Sequence, residues 1–188
     1  MHPRICVSAI STFRLDLAGD LDFWAAHGID CVGVSVAKLD AFGWDEGVRR
    51  VVDSDVRVGN LIGVGAFLLT EPSQWEPQRE RLVRALHAGK TMGAECVVFT
   101  TGPARQLPWD EAAGALETAL APVLVEARAL GIPFAVEHTN SLRVDVGFVH
   151  SLHDVVDKQR AAVGRDLLGL EGDMGHVLAS DAQRTNAA

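Results

Sequence analysis

The sequence predicts an α/β fold in which helices cover a parallel sheet. Short apolar runs rich in β-branched residues alternate with longer segments of helical period. These short runs are almost continuously apolar, which is typical of parallel strands buried on both faces. Gly28, Gly93, Gly131 and Gly164 stand where helical segments end, and glycine is favoured at the left-handed position after a helix.

The individual elements follow from this pattern. We predict strands at 4–10, 31–36, 56–64, 95–101, 132–138 and 166–172. We predict helices at 20–27, 45–53, 75–92, 109–130 and 152–163. Ser73 and Ser151 each precede an acidic residue by three positions, so both are predicted to cap the N-terminus of a helix.

Composition narrows the class of partner. A chain of 188 residues, 48% hydrophobic and 22% charged, suits one globular domain with a substantial core. Its net charge of −8 opposes contact with phosphate backbones, so we expect no nucleic-acid partner. No apolar run is long enough for a membrane span or a signal peptide, so we expect no membrane partner and a cytoplasmic protein.

The three cysteines are predicted to be small buried thiols. Cys6, Cys31 and Cys96 are far apart in sequence, and each lies in an apolar run. An odd number at irregular spacing argues against a disulfide framework or a metal site, and it fits a reducing compartment.

Two architectures suit the alternating pattern, an open doubly wound sheet and a (β/α) barrel. The segment Ser11–Arg14 after the first strand is not a glycine-rich turn, and no Gly-Lys-Ser/Thr motif occurs, which disfavours nucleotide-binding open sheets. Two later strands end in the acids Glu137 and Asp173. A carboxylate at the end of a buried strand needs a cation or a hydrogen-bond partner. Barrel active sites gather at this edge of the sheet, so the pattern favours a barrel and a shared cation.

The residues at these strand ends resemble a known family. Val136–His138, followed one unit later by Asp173–His176, is similar to the xylose isomerase-like TIM barrels, the sugar phosphate isomerase/epimerase group. The resemblance implies that Glu137 and Asp173 bind one divalent metal ion (Mn, Mg, Co or Zn) and that His176 contacts substrate. It also implies that Glu137 is the catalytic acid/base for proton transfer next to the carbonyl of a sugar or polyol.

Side chains in the loops after other strands are candidate substrate contacts. Lys38 follows the predicted second strand, and Asn140 and Arg143 follow the fifth. Phe13 and Trp109 also fall in such loops, although aromatic residues beside strands more often pack in the core.

Other polar residues near the motif have a simpler interpretation. His138 neighbours Glu137 on a strand, so its side chain is expected on the opposite face and in the core. His150 and His153 lack the further ligands of a zinc set and are predicted to lie on the surface. Glu171 alternates with Asp173 and is either an additional acid of the pocket or an exposed one.

The extent of the barrel limits the function that we expect. The family barrel has eight strands, with a metal-binding histidine after strand seven and a second catalytic glutamate after strand eight, whereas this sequence predicts six strands. We therefore expect an incomplete (β/α)8 TIM-type barrel over 1–178 and a polar tail over 179–188. Unclosed sheet edges favour association into a homo-oligomer.

Two classes of function follow. The first is a metal-dependent sugar isomerase or epimerase whose turnover is impaired in the isolated chain. The second is a non-catalytic remnant of a barrel, or an interaction module. The DNA-cleaving endonucleases of the same group are disfavoured. The resemblance implies that their trinuclear zinc site uses additional histidines after strands three and four, and residues 65–67 and 100–102 of this sequence contain no histidine.

Overall fold

The computed structural model describes residues 5–65, 67–151 and 168–171. In this part of the chain the strands are β1 (Val7–Ser8), β2 (Cys31–Ser35), β3 (Arg57–Val64), β4 (Cys96–Thr100), β5 (Phe134–Glu137) and β6 (Leu168–Glu171). The helices are α1 (Leu17–Ala26), α2 (Val36–Phe42), α3 (Trp44–Asp53), α4 (Trp75–Thr91) and α5 (Trp109–Leu130). A 3-10 turn at Pro72–Gln74 precedes α4.

The six described strands form one sheet in the order of the chain, and every neighbouring pair is parallel. A doubly wound sheet reverses its strand order at a switch point. A sequential parallel order with intervening helices is the winding of a (β/α) barrel. The prediction of an incomplete (β/α)8 TIM-type barrel is therefore confirmed, and the open-sheet alternative is wrong.

The two faces of the sheet have different neighbours. Phe134 and Val136 of β5 belong to the main core, which the helices cover. Ile62, Val98 and Ala135, from three adjacent strands, form a separate small cluster on the other face. Because side chains alternate along a strand, Glu137 follows Ala135 onto this inner face, which corresponds to the barrel interior.

The predicted glycine positions are confirmed where the structure describes them. Gly28, Gly93 and Gly131 have φ of 61°, 67° and 63°, as expected for residues that follow a helix in the left-handed conformation. None of the helices described is long and apolar enough to cross a membrane. Gly164, the predicted helix at 152–163 and residues 172–188 lie outside the described residues.

The first strand is shorter than predicted. Instead of extending over 4–10, it pairs with β2 only at Val7 and Ser8. The chain then turns, because the Ser8 carbonyl accepts the Ser11 amide (2.9 Å) and the Ser8 hydroxyl accepts the Ile10 amide (3.2 Å). Local serine hydrogen bonds of this kind compete with a sheet ladder.

Three helix starts differ from those predicted. Ser73 is not a cap, because it lies in the 3-10 turn and α4 begins at Trp75 without a side-chain cap. The helix α1 begins three residues early, where the Asp16 carboxylate accepts the Gly19 amide (2.8 Å). The helix α2 was predicted as a loop, but it follows β2 directly and buries Val36 and Leu39.

Candidate active site

Polar residues from three strands meet at the carboxyl edge of the sheet. Thr100 of β4 is the Cα partner of Glu137 of β5, and Glu137 is the partner of Glu171 of β6. All three strands run in the same direction, so these residues end their strands at the same edge. The Glu137 side chain is half-buried and lies on the inner face. This is the edge at which barrel enzymes carry their active sites.

The structure describes one of the two residues that are predicted to bind the metal ion. Glu137 occupies the expected strand end, whereas Asp173 and the substrate-contact residue His176 lie outside the described residues. The backbone of β6 reaches Glu171, two residues before Asp173, in register with Glu137. The parallel register therefore brings the chain leading to Asp173 beside the strand that carries Glu137.

The described residues supply one candidate ligand for a divalent cation at this edge. Within residues 5–65, 67–151 and 168–171, no group of three or more His, Cys, Asp or Glu side chains is arranged to hold a metal ion. A carboxylate at the strand end is nevertheless the ligand type that Mg²⁺ and Mn²⁺ prefer. Glu137 fits such an ion as one ligand, and the remaining predicted protein ligand is Asp173.

The loop at 138–151 folds back over the ends of β4 and β5. The Thr139 amide donates to the Val149 carbonyl (2.9 Å), and the Gly102 amide donates to the Val146 carbonyl (3.1 Å). The Phe148 amide donates to the Thr101 hydroxyl (3.1 Å). These bonds fix the loop next to the strand that ends at Glu137.

Two predicted substrate contacts, Asn140 and Arg143, lie in this loop. The Asn140 side-chain carbonyl accepts the Leu142 amide (2.9 Å), which closes a local turn. Arg143 is exposed and donates to Asp145 (3.0 and 3.1 Å), and this contact lowers the pKa of the Asp145 carboxyl. The loop location agrees with the sequence analysis, and a substrate contact by either residue stays a prediction.

Lys38 was predicted in a loop, and that location is wrong because it lies in the first turn of α2. Its ammonium group donates to the Ala9 carbonyl (3.0 Å), the Thr12 carbonyl (3.0 Å) and the buried Asp20 carboxylate (2.7 Å). Lysine has three N–H donors, and these acceptors use all of them. Lys38 therefore fixes the loop between β1 and α1, and direct contact with substrate stays a prediction.

The other aromatic and histidine residues considered in the sequence differ in their exposure to solvent. His138 is fully buried, as expected for the face opposite Glu137. Trp109 is the first residue of α5, and its ring meets Phe148 edge-on at 6.0 Å. Phe13 lies between β1 and α1 and is 84% exposed, so its ring is open to a ligand.

Sequence reasoning missed the position of His150. It is half-buried, and its Nδ1 lies 3.0 Å from the Thr139 carbonyl, two residues beyond Glu137. Because a carbonyl only accepts, Nδ1 is the donor in this hydrogen bond. The fold-back of the loop creates this contact, and no spacing in the sequence indicates it.

No family model matches the sequence, and no curated protein sequence matches it. Solved structures do match. The Sinorhizobium meliloti 1021 protein SMc04130 is 23% identical with a TM-score of 0.83, over 98% of this chain and 70% of that one. The IolI protein, solved with a zinc atom, is 18% identical with a TM-score of 0.75, over 91% and 63%.

A xylose isomerase domain protein from Alicyclobacillus acidocaldarius is 21% identical with a TM-score of 0.71, over 91% of this chain and 63% of that one. Further matches with the same fold include a family 2 AP endonuclease from Brucella melitensis (TM-score 0.74) and the 3-keto-D-glucoside 4-epimerase YcjR from E. coli (TM-score 0.60). The chain thus has the fold of the xylose isomerase-like TIM barrels. It spans less than two thirds of the length of two of these structures.

Proposed function

We propose that this chain belongs to a metal-dependent isomerase or epimerase that acts on a sugar or polyol. The observation that carries the proposal is the position of Glu137, half-buried on the inner face at the carboxyl edge of a parallel barrel sheet. Solved structures with this fold include proteins named as a xylose isomerase domain protein and a 3-keto-D-glucoside 4-epimerase, which supports a carbohydrate substrate.

In the proposed reaction, Glu137 takes the proton from the carbon next to the substrate carbonyl. Glu137 and Asp173 hold the divalent ion, which when bound supplies a positive charge that polarises the carbonyl. A carboxylate on the inner face is shielded on one side by the sheet, so its proton transfer competes less with bulk water. His176, Asn140 and Arg143 are the proposed contacts to substrate hydroxyl groups. Lys38 is the fourth, and it would exchange one of its present acceptors for a substrate hydroxyl.

Complete turnover needs a second acid/base group in this proposal. Epimerisation removes a proton on one face of the carbon and returns it on the other. The family resemblance assigns the second group to a strand beyond the six of this sheet. Turnover by the 188 residues alone is therefore expected to be slow, while the first half of the reaction needs only Glu137. A non-catalytic barrel remnant or interaction module is the alternative.

One of the matching structures is named as an AP endonuclease, so endonuclease activity was the other activity to consider. It is disfavoured here because a net charge of −8 repels a DNA backbone. The described residues that follow β3 and β4, Gly65, Phe67 and Thr101–Gly102, also include no histidine.

The half reaction can be measured as exchange with solvent. The full chain is incubated in D₂O with Mn²⁺ and the ketose D-fructose, and NMR follows deuterium uptake at the carbon next to the carbonyl. We expect metal-dependent uptake that Glu137→Gln reduces by about 10²–10⁴-fold, the usual loss when a positioned base is removed.

Glu117→Gln is the matched control, because Glu117 is an exposed residue of α5 remote from the sheet edge in sequence and fold. It should leave the uptake unchanged. Uptake that is equal in the Glu137→Gln and wild-type chains would overturn the assignment of Glu137 as the base. Absence of uptake over background with D-fructose and with D-xylulose would favour the non-catalytic alternative.

A further inference from the structure

Three cysteine sulfurs converge on one glycine at the amino end of the sheet, opposite the candidate active site. A Cβ on Gly59 of β3 would lie 2.9 Å from the Cys6 Sγ and 3.3 Å from the Cys31 Sγ. The Cys96 Sγ lies 3.8 Å from the Gly59 carbonyl. Both the Cys6 and Cys31 sulfurs therefore occupy the space that the missing side chain of Gly59 leaves.

The first two cysteines are next to each other on adjacent strands. Val7 of β1 is the Cα partner of Val32 of β2, so Cys6 and Cys31 take the preceding position of the same register. Neighbouring strands lie about 4.7–4.9 Å apart. Disulfides join residues whose Cα atoms are about 4.4–6.8 Å apart, so this spacing suits a bond between the two sulfurs.

The pair is accessible from solvent on one side. A cavity of about 350 Å³ opens at this end of the sheet, and Cys6, Cys31, Gly59 and Asn60 contribute to its wall. Cys6 is exposed, whereas Cys31 is buried. The prediction that all three cysteines are buried is therefore wrong for Cys6, which precedes the first residue of β1, and Cys96 is only half-buried.

We propose that Cys6 and Cys31 form an oxidative modification site, a disulfide that joins β1 to β2 when the protein meets a low-molecular-weight disulfide. The thiolate of exposed Cys6 attacks one sulfur of the reagent and releases one thiol. The Cys31 thiolate then attacks the Cys6 sulfur of this mixed disulfide and releases the second thiol. One Cys6–Cys31 bond forms, both cysteines lose a proton, and the reagent is reduced to two thiols.

The rate of this reaction depends on pH through the charge around Cys6. Although Cys6 is exposed as a residue, its sulfur lies against Gly59. This partial burial of the sulfur raises the pKa of the Cys6 thiol to about 12, and neighbouring Cys31 adds to the increase, while the Arg57 guanidinium opposes it. Glu95 pairs with that guanidinium. Because the thiolate is the nucleophile, oxidation is slow at neutral pH and accelerates as the pH rises toward this value.

Cys96 provides a matched control within the same cluster. It lies on β4, and the register runs from Gly33 through Asn60 to Cys96 across two strand spacings. The Cα atoms of Gly33 and Cys96 are therefore about 9–10 Å apart. Cys31 lies two residues before Gly33 and pairs with Arg57, so its Cα atom is farther still from that of Cys96. A disulfide between them exceeds the usual range, so Cys96 is expected to take no part.

The test is oxidation of the full chain by glutathione disulfide, near neutral pH and in mild alkali. Free thiols are then blocked with iodoacetamide, and non-reducing peptide mapping by mass spectrometry identifies the linked peptides. We expect a Cys6–Cys31 linkage whose rate of formation rises about tenfold for each added pH unit below the thiol pKa, because the thiolate fraction rises by that factor. Cys96→Ser should retain the linkage, and Cys6→Ser should abolish it.

Gly59→Ala gives a second variant that keeps all three thiols. Its added methyl group crowds both sulfurs, so it should slow the linkage at least about tenfold while circular dichroism verifies that the fold is kept. A mixed disulfide with glutathione that never proceeds to the Cys6–Cys31 bond would overturn the proposal. A bond that includes Cys96, or one that joins two chains, would overturn it as well.

Discussion

At the scale of single residues, the Lys38–Asp20 pair is the charged contact most withdrawn from water in the described chain. The Lys38 and Asp20 side chains are 13% and 0% exposed, whereas those of the Arg49–Glu46 pair are 59% and 50% exposed. Exposed pairs contribute little to stability. The buried pair joins α1, α2 and the loop after β1, so its loss should destabilise the packing of all three segments.

We predict that Lys38→Met destabilises the fold by about 3–5 kcal/mol, because it leaves the Asp20 carboxylate buried without its cation. Chemical denaturation by urea measures the change. Adding Asp20→Asn to Lys38→Met removes the stranded charge and should recover most of the loss.

Lys90→Met is the control for this series, since Lys90 is an exposed residue in the last turn of α4. It should change the free energy of unfolding by less than about 0.5 kcal/mol. If Lys38→Met changed the free energy of unfolding as little as Lys90→Met, the buried pair would not stabilise the packing of α1, α2 and the loop after β1.

The sequence could identify Glu137 but not the environment of Lys38 or His150. Glu137 ends an apolar strand, and the parallel direction of the sheet then determines its edge. Lys38 contacts Asp20 across 18 residues, and His150 reaches the Thr139 carbonyl through a loop. Such contacts depend on how segments fold back on one another, which local periodicity does not encode.

At the scale of elements, an arginine of α4 compensates for a proline inside α5. Pro122 has no amide proton, so the Thr118 carbonyl one turn earlier loses its helical donor. The Arg79 guanidinium donates to that carbonyl at 3.2 Å and to the Ala119 carbonyl at 2.9 Å. Arg79 of the neighbouring helix therefore supplies the Thr118 carbonyl with a donor in place of the amide that Pro122 lacks.

We predict that Arg79→Met destabilises the fold by about 2 kcal/mol, since it leaves these two helix carbonyls without the charged donor. In a Pro122→Ala background the same change should cost about half as much, because the new amide at position 122 donates to Thr118. A double-mutant cycle of unfolding free energies measures this coupling.

Arg81→Met on the same helix is the control, because its guanidinium makes an exposed contact to Asp40 at 3.4 Å. Its cost should stay below about 0.5 kcal/mol. Additive effects of Arg79→Met and Pro122→Ala would contradict the compensation.

Elements are predictable from the sequence to different degrees. Strands β2 to β5 and α5 follow from apolar runs and from Gly131 at the end of the helix, and they agree with the structure to within about two residues, whereas β1 is much shorter than predicted. The start of α4 does not, because a 3-10 turn over Pro72–Gln74 displaces the expected serine cap. The helix α2 was missed because it follows β2 without an intervening loop, so no turn signal marks its beginning.

At the scale of the whole molecule, the parallel sheet separates two kinds of chemistry. Its carboxyl edge carries Glu137 beside Thr100 and the Glu171 position. Its amino end carries the cysteine cluster around Gly59. All six described strands run in the same direction, so the carboxyl edge and the amino end lie at opposite ends of the sheet. We therefore predict that oxidation of the cysteines and metal binding at the carboxyl edge are independent of each other.

Mn²⁺ titration of the full chain by calorimetry measures whether Glu137 forms a divalent-cation site at the carboxyl edge. We predict weak binding by the wild-type chain, because most of the coordination shell is left to water. Glu137→Gln and Asp173→Ala should each weaken it by at least about tenfold, and Glu117→Gln should leave it unchanged. Equal Mn²⁺ affinity in the wild-type and Glu137→Gln chains would show that Glu137 is not a ligand.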